Sequence, residues 1–436
     1  MQRRTFVGVV VWILLAMNHP FADSRPLAQN ERLTSAAMRQ QVGRLAALAQ
    51  VHAAWEWFTA HARALTELQM ELTRVPAPPF GEAHRAEWLR KRFVELGLDE
   101  VHIDEAGNVL GVRPGAVAGS KYVAVTAHID TVFPAGTPID VRNDAGRLYG
   151  PGISDNSTGL TAMLAIISAL NAAGIVNAAP IVFIGNVGEE GEGDLRGMRY
   201  IFNHPRWKDA IAYTLVIDGG GADTIITEGI GSRRFLATVH GPGGHSWSDF
   251  GTPNPITLLA RAIDQFSRTP MHAGARSAFN IGVISGGTSV NSIPESASMK
   301  VDIRSAAPAE LDRLEHALRD ALIHATTDAS GGERKNAAVS YELKTIGNRP
   351  AAELNPHAHI LEVMQAVDAQ LGIASRQQRA STDANIPLSL GKEAIAVGGG
   401  GNGGGAHTMH EWYDPTNRAL GLRRILLAVL ALSGVQ

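Results

Sequence analysis

Three apolar runs in the chain each end in histidine or carboxylate side chains, and this arrangement constrains the fold more than any other feature. The runs are residues 122–126, 180–187 and 211–217, and they are followed by His128 and Asp130, by Glu189 and Glu190, and by Asp218. Continuous runs rich in Val, Ile and Ala are typical of strands buried on both faces of a parallel sheet. Open α/β sheets bind ligands beyond the carboxyl ends of such strands, so we expect these side chains to meet at one edge.

Helical patterns alternate with these strands. Apolar residues three or four positions apart predict helical structure over residues 36–73 and 82–96, and a third helix that ends near residue 173. Residues 142–149 are predicted as a further strand. Strands that alternate with helices favour an α/β fold with a largely parallel sheet.

The pattern changes from residue 231 onward. Strands with alternating polar and apolar residues are interleaved there with two predicted helices, residues 254–267 and 308–326. At 436 residues and 45% hydrophobic content, the chain is long enough for two domains. We therefore predict a smaller α+β domain, an antiparallel sheet covered on one face by two helices, inserted into the α/β domain.

Composition excludes several kinds of partner and site. The chain has 39 Lys and Arg and 42 Asp and Glu, a net charge of −3, and no basic stripe, so we expect neither nucleic acid nor an anionic membrane surface as a partner. It contains no Cys, which excludes disulfides, thiolate metal sites, a Cys nucleophile and a lipid-bearing Cys. Any metal must therefore bind to His and carboxylate side chains.

Residues 1–28 have the pattern of a signal peptide. Arg3 and Arg4 precede an apolar stretch, residues 6–17, and small and polar residues follow. The stretch is shorter than the roughly 20 apolar residues that span a bilayer, although an uncleaved anchor helix is the alternative. We predict export to the periplasm or the exterior, with no membrane contact after cleavage.

The candidate metal ligands are nitrogen and oxygen donors that follow predicted strands or lie in loops. They are His128, Asp130, Asp155, Glu189, Glu190, Asp218 and His407. Such donors suit zinc, cobalt or manganese, and the set is large enough for two ions that share a carboxylate. His407 follows a run, residues 398–405, in which seven of eight residues are Gly, which indicates a backbone that approaches a ligand closely. The alternative is that carboxylates such as Asp155 only cap helices.

These residues stand in longer motifs that together resemble the M20 metallopeptidases, a family of dinuclear zinc peptidases, aminoacylases and deacylases. The motifs are residues 127–132 (AHIDTV), 150–156 (GPGISDN), Glu189-Glu190, Asp218, 243–246 (GGHS), 291–294 (NSIP), 302–304 (DIR), and His407 four residues before Glu411. The resemblance runs from about residue 80 to the C-terminus. It implies the three-layer αβα zinc-exopeptidase fold, with a catalytic domain of residues 33–230 and 351–436 and an inserted lid or dimerisation domain of residues 231–350.

The resemblance also implies roles for individual residues. His128 and Asp218 would bind one divalent ion and Glu190 and His407 the other, with Asp155 as the bridge, Glu189 as general acid and base, and Asp130 orienting His128. The two ions would be zinc, with cobalt or manganese as alternatives. His245 would donate to an oxyanion in the partner subunit of a homodimer, while Asn291 and Arg304 would bind a substrate carboxylate or carbonyl. His410 replaces the usual Asn, and we interpret it as a surface residue.

The sequence thus predicts an exported dinuclear metallo-exopeptidase that acts on dipeptides or tripeptides. Asp rather than Glu at position 218 resembles the branch that contains tripeptide aminopeptidases. One alternative is an amidohydrolase of N-acyl amino acids, because pocket shape decides between these substrates. A non-catalytic binding module with the same fold is a second alternative, and the complete ligand set with Glu189 favours an enzyme. An M28-type exopeptidase is disfavoured by the inserted domain.

Overall fold

The computed structural model describes residues 34–272, 276–327 and 339–436. The helices are α1 (Ala36–Ala46), α2 (Ala49–Ala60), α3 (Ala62–Thr73), α4 (Ala83–Glu95), α5 (Ser157–Ala172), α6 (Arg196–Asn203), α7 (Pro255–Ser267), α8 (Pro308–Thr327), α9 (His359–Leu371), α10 (Asn385–Ser389) and α11 (Arg418–Ser433). The strands before the inserted domain are β1 (Asp99–Ile103), β2 (Val109–Arg113), β3 (Tyr122–His128), β4 (Arg142–Asp144), β5 (Arg147–Tyr149), β6 (Ile181–Asn186), β7 (Ile211–Ile217) and β8 (Thr224–Gly229). The remaining strands are β9 (Gly231–His240), β10 (Gly244–His245), β11 (Ser277–Gly286), β12 (Ser292–Ile293), β13 (Ser296–Ser305), β14 (Ser340–Arg349), β15 (Ala352–Glu353), β16 (Arg376–Ala380), β17 (Glu393–Val397), β18 (Asn402–Gly404) and β19 (Trp412–Asp414).

The central sheet is mixed, with the order β1-β2-β6-β3-β7-β17-β8-β15, and β16 pairs with β8. Its middle strands are parallel: β3 pairs in parallel with both β6 and β7, and β7 with β17. The carboxyl ends of these four strands therefore lie at the same edge of the sheet. This is the edge at which the sequence predicts the polar side chains to meet.

Helices cover both faces of the central sheet because its middle strands are apolar on both faces. Successive residues of β6 point to opposite sides, as the backbone of a strand requires. Ile181 and Phe183 pack into the larger core, which α1, α2, α3, α5, α9 and α11 share, whereas Val182 and Ile184 pack into a second core with α6. The predicted α/β class with three αβα layers is confirmed.

The described residues between β8 and β15 form the inserted domain, which has its own apolar core. Its antiparallel sheet has the order β11-β13-β9-β14, and α7 and α8 pack against one face. Phe235, Ala237 and Val239 alternate along β9 and are buried against these helices. Strand β11 lies at the edge, and Val283 and Ile284 on it are exposed.

Two predicted elements differ in detail from the structure. The helical stretch 36–73 consists of α1, α2 and α3, and the single strand predicted over 142–149 is the hairpin of β4 and β5, so that prediction was wrong. The predicted signal peptide, residues 1–28, lies outside the described residues. Within the described ranges, no helix has the length and apolar character needed to cross a membrane.

Candidate metal centre

The predicted ligands come together at the carboxyl edge of the central sheet. His128 is the last residue of β3, Glu189 and Glu190 follow β6, and Asp218 follows β7. Asp155 precedes α5, and His407 lies in the loop between β18 and β19. Three of these residues, His128, Asp155 and Glu190, each place one ligand atom within 4.8 Å of the ligand atoms of the other two.

The carboxylate of Asp155 lies between the two histidines. Its Oδ1 is 3.0 Å from Nε2 of His128, and its Oδ2 is 3.1 Å from Nε2 of His407. Asp218 Oδ1 lies on the first side, 3.6 Å from His128 Nε2, and Glu190 Oε1 on the second, 3.2 Å from His407 Nε2. The donors thus form two groups that share Asp155.

The donor geometry and charge of this cluster fit divalent ions. Ligands about 2.1 Å from a tetrahedral zinc ion lie about 3.4 Å from one another, close to the observed separations. Contacts with Asp155 and Glu190 raise the pKa of His407 to about 10. Burial opposes protonation of His128, but contacts with the surrounding Asp side chains raise its pKa well above the usual value, so the cluster stabilises positive charge at its centre.

Asp130 connects β3 to the turn that carries the two glutamates. Its main-chain carbonyl is 3.1 Å from Nδ1 of His128, and its Oδ1 is 3.6 Å from the same nitrogen. Its carboxylate accepts hydrogen bonds from the N–H groups of Glu189 and Glu190, at 3.1 and 2.8 Å. The two contacts with Nδ1 of His128 leave the other ring nitrogen, Nε2, directed at the cluster. Asp130 therefore fixes the ring and the glutamate turn together.

We expect Asp130→Asn to weaken metal affinity by roughly 10 to 100-fold, the usual effect of losing a group that orients a ligand. The amide has one acceptor oxygen, so it cannot bind both N–H groups as the carboxylate does. Chelator competition with purified protein measures the change. Asp144→Asn, an exposed aspartate on β4, is the control, and equal affinity in both variants would contradict the expectation.

Glu189 is buried and paired with an arginine that the sequence analysis missed. Arg349, the last residue of β14, places Nη1 3.0 Å from Glu189 Oε1, and its Nη2 donates to the main-chain carbonyl of Glu189. Burial raises the pKa of Glu189 well above its usual value, while the charge of Arg349 acts in the opposite direction. No local sequence signal distinguishes Arg349, because the two residues are separated by 160 positions.

Glu411 holds the loop that presents Asp155, a role that the sequence analysis did not assign. Its buried carboxylate accepts hydrogen bonds from the N–H groups of Gly152, Ser154 and Asp155, at 2.8, 2.7 and 2.8 Å. Burial raises the pKa of Glu411 to about 7. The only available signal was its spacing of four residues from His407.

The glycine-rich run approaches the protein's own loops closely. A Cβ at Gly398 would lie 2.4 Å from the carbonyl oxygen of Gly220, and one at Gly403 would lie 2.0 Å from Oγ of Ser154. A Cβ atom cannot approach another heavy atom this closely, so any residue other than Gly would require the neighbouring atoms to shift. The run therefore packs the loops that follow Asp218 and precede Asp155 against the loop that carries His407.

The three predicted residues of the inserted domain make their polar contacts within that domain. His245 on β10 lies beside the chain of Asn291, because β10 pairs with β12 and the N–H of Ser246 donates to the carbonyl of Asn291. Arg304 on β13 donates to Oδ2 of Asp302 at 2.7 Å. Within the described residues, no hydrogen bond or ion pair joins any of the three to the ligand cluster. His410 is exposed, as predicted, and lines a surface cavity of about 260 Å³ with Arg142 and Tyr149.

Comparison with known protein families gives evidence that does not depend on the geometry of the site. The Peptidase family M20/M25/M40 matches residues 124–431. A probable carboxypeptidase of Aspergillus clavatus is 31% identical over 216 residues, which is 44% of this chain and 47% of that protein. The chain thus spans about half the length of the curated relatives it matches.

Solved structures show the same fold. Aminopeptidase PepT from Bacillus cereus has a TM-score of 0.67 at 21% identity, covering 84% of this chain and 98% of that one. The dipeptidase Dug1p from Saccharomyces cerevisiae has a TM-score of 0.70 at 14% identity, covering 88% and 99%. At these identities the likeness concerns the fold, including the inserted domain.

Proposed function

Because this chain belongs to the Peptidase family M20/M25/M40, we propose that it is a metal-dependent hydrolase that cleaves the amide bonds of dipeptides or tripeptides. Membership confirms the resemblance found in the sequence. The observation that carries the proposal is the position of Asp155, whose two oxygens each face a different histidine. Glu189, the buried residue before Glu190, lies outside both donor groups.

We assign the metal-binding roles from these two groups. His128 and Asp218 would hold one ion, Glu190 and His407 the other, and Asp155 both. When bound, two divalent ions, which we propose to be zinc with cobalt or manganese as alternatives, polarise a carbonyl and lower the pKa of a water molecule. Asp130 and Glu411 would keep the ligands in place through the main-chain contacts described above.

Glu189 is our candidate for the general acid and base. A carboxylate with a raised pKa can take a proton from the attacking water and return it to the leaving amine. Arg304 would bind a substrate carboxylate with its guanidinium, which suits two-pronged recognition of carboxylates, and Asn291 would donate to a neighbouring oxygen. Asp302 already holds Arg304 in position.

We propose that the active form is a homodimer formed through the inserted domain. Trp247, Phe250 and Val290 are exposed around His245 and Asn291, and large apolar side chains grouped on a surface are typical of an interaction site. Strand β11 leaves one edge of the sheet open to pairing with a second copy. In such a dimer His245 would donate to the developing oxyanion in the partner's site.

Mixed dimers test this arrangement. We expect His245→Ala and Glu189→Gln chains to be inactive separately and to regain activity when mixed, because one site of the mixed dimer combines an intact Glu189 with an intact partner His245. Peptidase activity is measured after subunit exchange has been demonstrated with tagged chains. No recovery despite exchange would refute donation across the dimer. Mixing His245→Ala chains with chains that carry both His245→Ala and Glu189→Gln is the control for nonspecific stabilisation, because no site in that mixture combines an intact Glu189 with an intact partner His245.

A substrate panel tests the proposed reaction. Purified protein is assayed for metal content and for released amine with Ala-Ala, tri-Ala and N-acetyl amino acids. Turnover of the peptides with about two ions per chain supports the proposal. Preference for the N-acetyl substrates would favour the amidohydrolase. Absence of turnover across the panel with zinc or cobalt added would favour a binding module.

We also propose that the protein acts after export, on the basis of the pattern in residues 1–28. Cell fractionation and N-terminal sequencing of the mature protein test this. Recovery of the full-length chain in the cytosol would refute it.

A further inference from the structure

The inserted domain contacts the turn that bears Glu189 at several points. The contacts are Arg349 with the side chain and carbonyl of Glu189, Arg234 with the carbonyl of Gly191, Lys300 with Glu192 at 2.8 Å, and the N–H of Asn348 with Asp194 at 2.8 Å. The turn, residues 189–194, is therefore held from the inserted domain as well as from the central sheet. On the side of the central sheet, the carboxylate of Asp130 accepts hydrogen bonds from the first two N–H groups of the turn.

Arg349 is the most deeply buried of these contacts. Its side chain is 6% exposed and that of Glu189 is 7% exposed. Nη1 of Arg349 also donates to Oγ of Ser381 at 3.2 Å, so the guanidinium is fixed by a third group. A buried charge pair of this kind is costly to disrupt, since removing one partner leaves the other uncompensated.

Arg349 lies at the point where the chain leaves the inserted domain. Arg349 ends β14, the last strand of the inserted domain, and is followed by Pro350, where the chain returns toward the central sheet. Its pairing with Ser232 of β9 anchors it to the first strand of the same domain. Any rotation of the inserted domain must therefore carry the guanidinium with it.

We infer that Arg349 is a positioning residue that orients the carboxylate of Glu189 for proton transfer and makes that orientation depend on the placement of the inserted domain. The inference rests on the proposed role of Glu189. Arg349 donates to Oε1 of the carboxylate and to the main-chain carbonyl of the same residue, so it restrains both the carboxylate and the backbone of Glu189. Among the described residues, Arg349 donates to Oε1 and not to Oε2 of Glu189, which leaves Oε2 as the oxygen that we assign to proton transfer.

Charge alone does not explain this geometry. A lysine at position 349 would supply the same charge, but its single ammonium lacks the planar fork that reaches Glu189 twice and Ser381 once. Arg349→Lys therefore separates orientation from neutralisation, and Arg349→Met removes both. Arg233→Met is the matched control, because Arg233 lies on β9 of the same sheet and its substitution removes two ion pairs, with Asp312 and Glu315 of α8. In the part of the chain that the structure describes, no hydrogen bond or ion pair joins Arg233 to residues 189–194.

Steady-state kinetics and hydrogen exchange test the inference on purified full-length protein. We expect Arg349→Met to lower kcat on a peptide substrate about 100-fold with KM and metal content nearly unchanged, since a misplaced catalytic group costs about that much. Arg349→Lys should recover only part of the loss, and Arg233→Met should keep the wild-type kcat. The amides of residues 189–194 should exchange about tenfold faster in Arg349→Met and at the wild-type rate in Arg233→Met.

The outcomes distinguish the inference from the proposed function. Wild-type kcat in Arg349→Lys would show that charge suffices and would overturn the positioning role. An equal loss of kcat in Arg233→Met, or unchanged exchange in Arg349→Met, would also overturn it. If the wild-type protein cleaves nothing in the panel, the proposed function fails, and the exchange data still decide whether Arg349 holds the turn. If Arg349→Met does not fold, Arg349→Lys carries both measurements.

Discussion

Replacing Glu189 by Gln is expected to lower kcat by about 10²- to 10⁴-fold, the usual contribution of a general acid and base, while metal content stays near that of the wild type. The amide has nearly the shape of the carboxylate and can still accept the hydrogen bond from Arg349, so the turn should keep its structure. It cannot take up a proton from water at neutral pH. The loss should therefore fall on kcat rather than on binding. Steady-state kinetics with elemental analysis of the same sample measures both quantities.

Glu192→Gln is the matched control for this variant. Glu192 lies three residues further along the same turn, and its side chain is 64% exposed and paired with Lys300. Its substitution makes the same chemical change but removes only an exposed ion pair, which contributes little to holding the turn, so kcat should stay near the wild-type value. Loss of metal in Glu189→Gln would mean that Glu189 is a ligand and that the assigned roles of the two glutamates are wrong. Full activity of Glu189→Gln would exclude it as the base.

The sequence predicted the part of the site that is tied to strand ends. His128, the two glutamates and Asp218 follow strands whose apolar character is visible locally, and parallel pairing brings such ends together regardless of their distance in sequence. Arg349 and Glu411 were not predicted. They reach the site across 160 and more than 250 positions, and a single side chain contributes no periodicity that would reveal such a contact.

The differences in secondary structure have local causes. Residues 142–149 alternate in the manner of a strand, but Ala145 and Gly146 both have positive φ angles, at 49° and 91°, so the chain reverses there into a hairpin. The run Asn143 to Gly146 carried a turn signal that the alternation concealed. In residues 36–73 the apolar spacing is nearly continuous, yet Leu48 is extended and starts a second helix. Spacing predicts helical content better than it predicts a break, because one extended residue leaves the pattern almost unchanged.

Asp155→Asn is expected to abolish turnover by a different route, through loss of metal. Burial opposes ionisation of Asp155, but contacts with His128 and His407 hold its pKa well below the usual value, so it is charged at neutral pH. Its two oxygens each face one histidine. An amide offers one oxygen and a nitrogen that donates rather than accepts, so it can replace at most one of these two contacts.

The electrostatics of a two-ion site set the size of this effect. Two divalent ions about 3.5 Å apart repel by on the order of 20 kcal/mol at an effective dielectric constant of 20. Asp218, Glu190 and Asp155 are the carboxylates of the assigned set that offset this repulsion, and only Asp155 lies between the two groups. Its neutralisation therefore weakens both metal positions, whereas Asp218→Asn should weaken one.

We expect Asp155→Asn to retain fewer than two ions per chain after dialysis, with Asp140→Asn as the control for an aspartate outside the ligand cluster. Elemental analysis and chelator competition give the result. Retention of both ions with wild-type affinity would show that another carboxylate is the bridge.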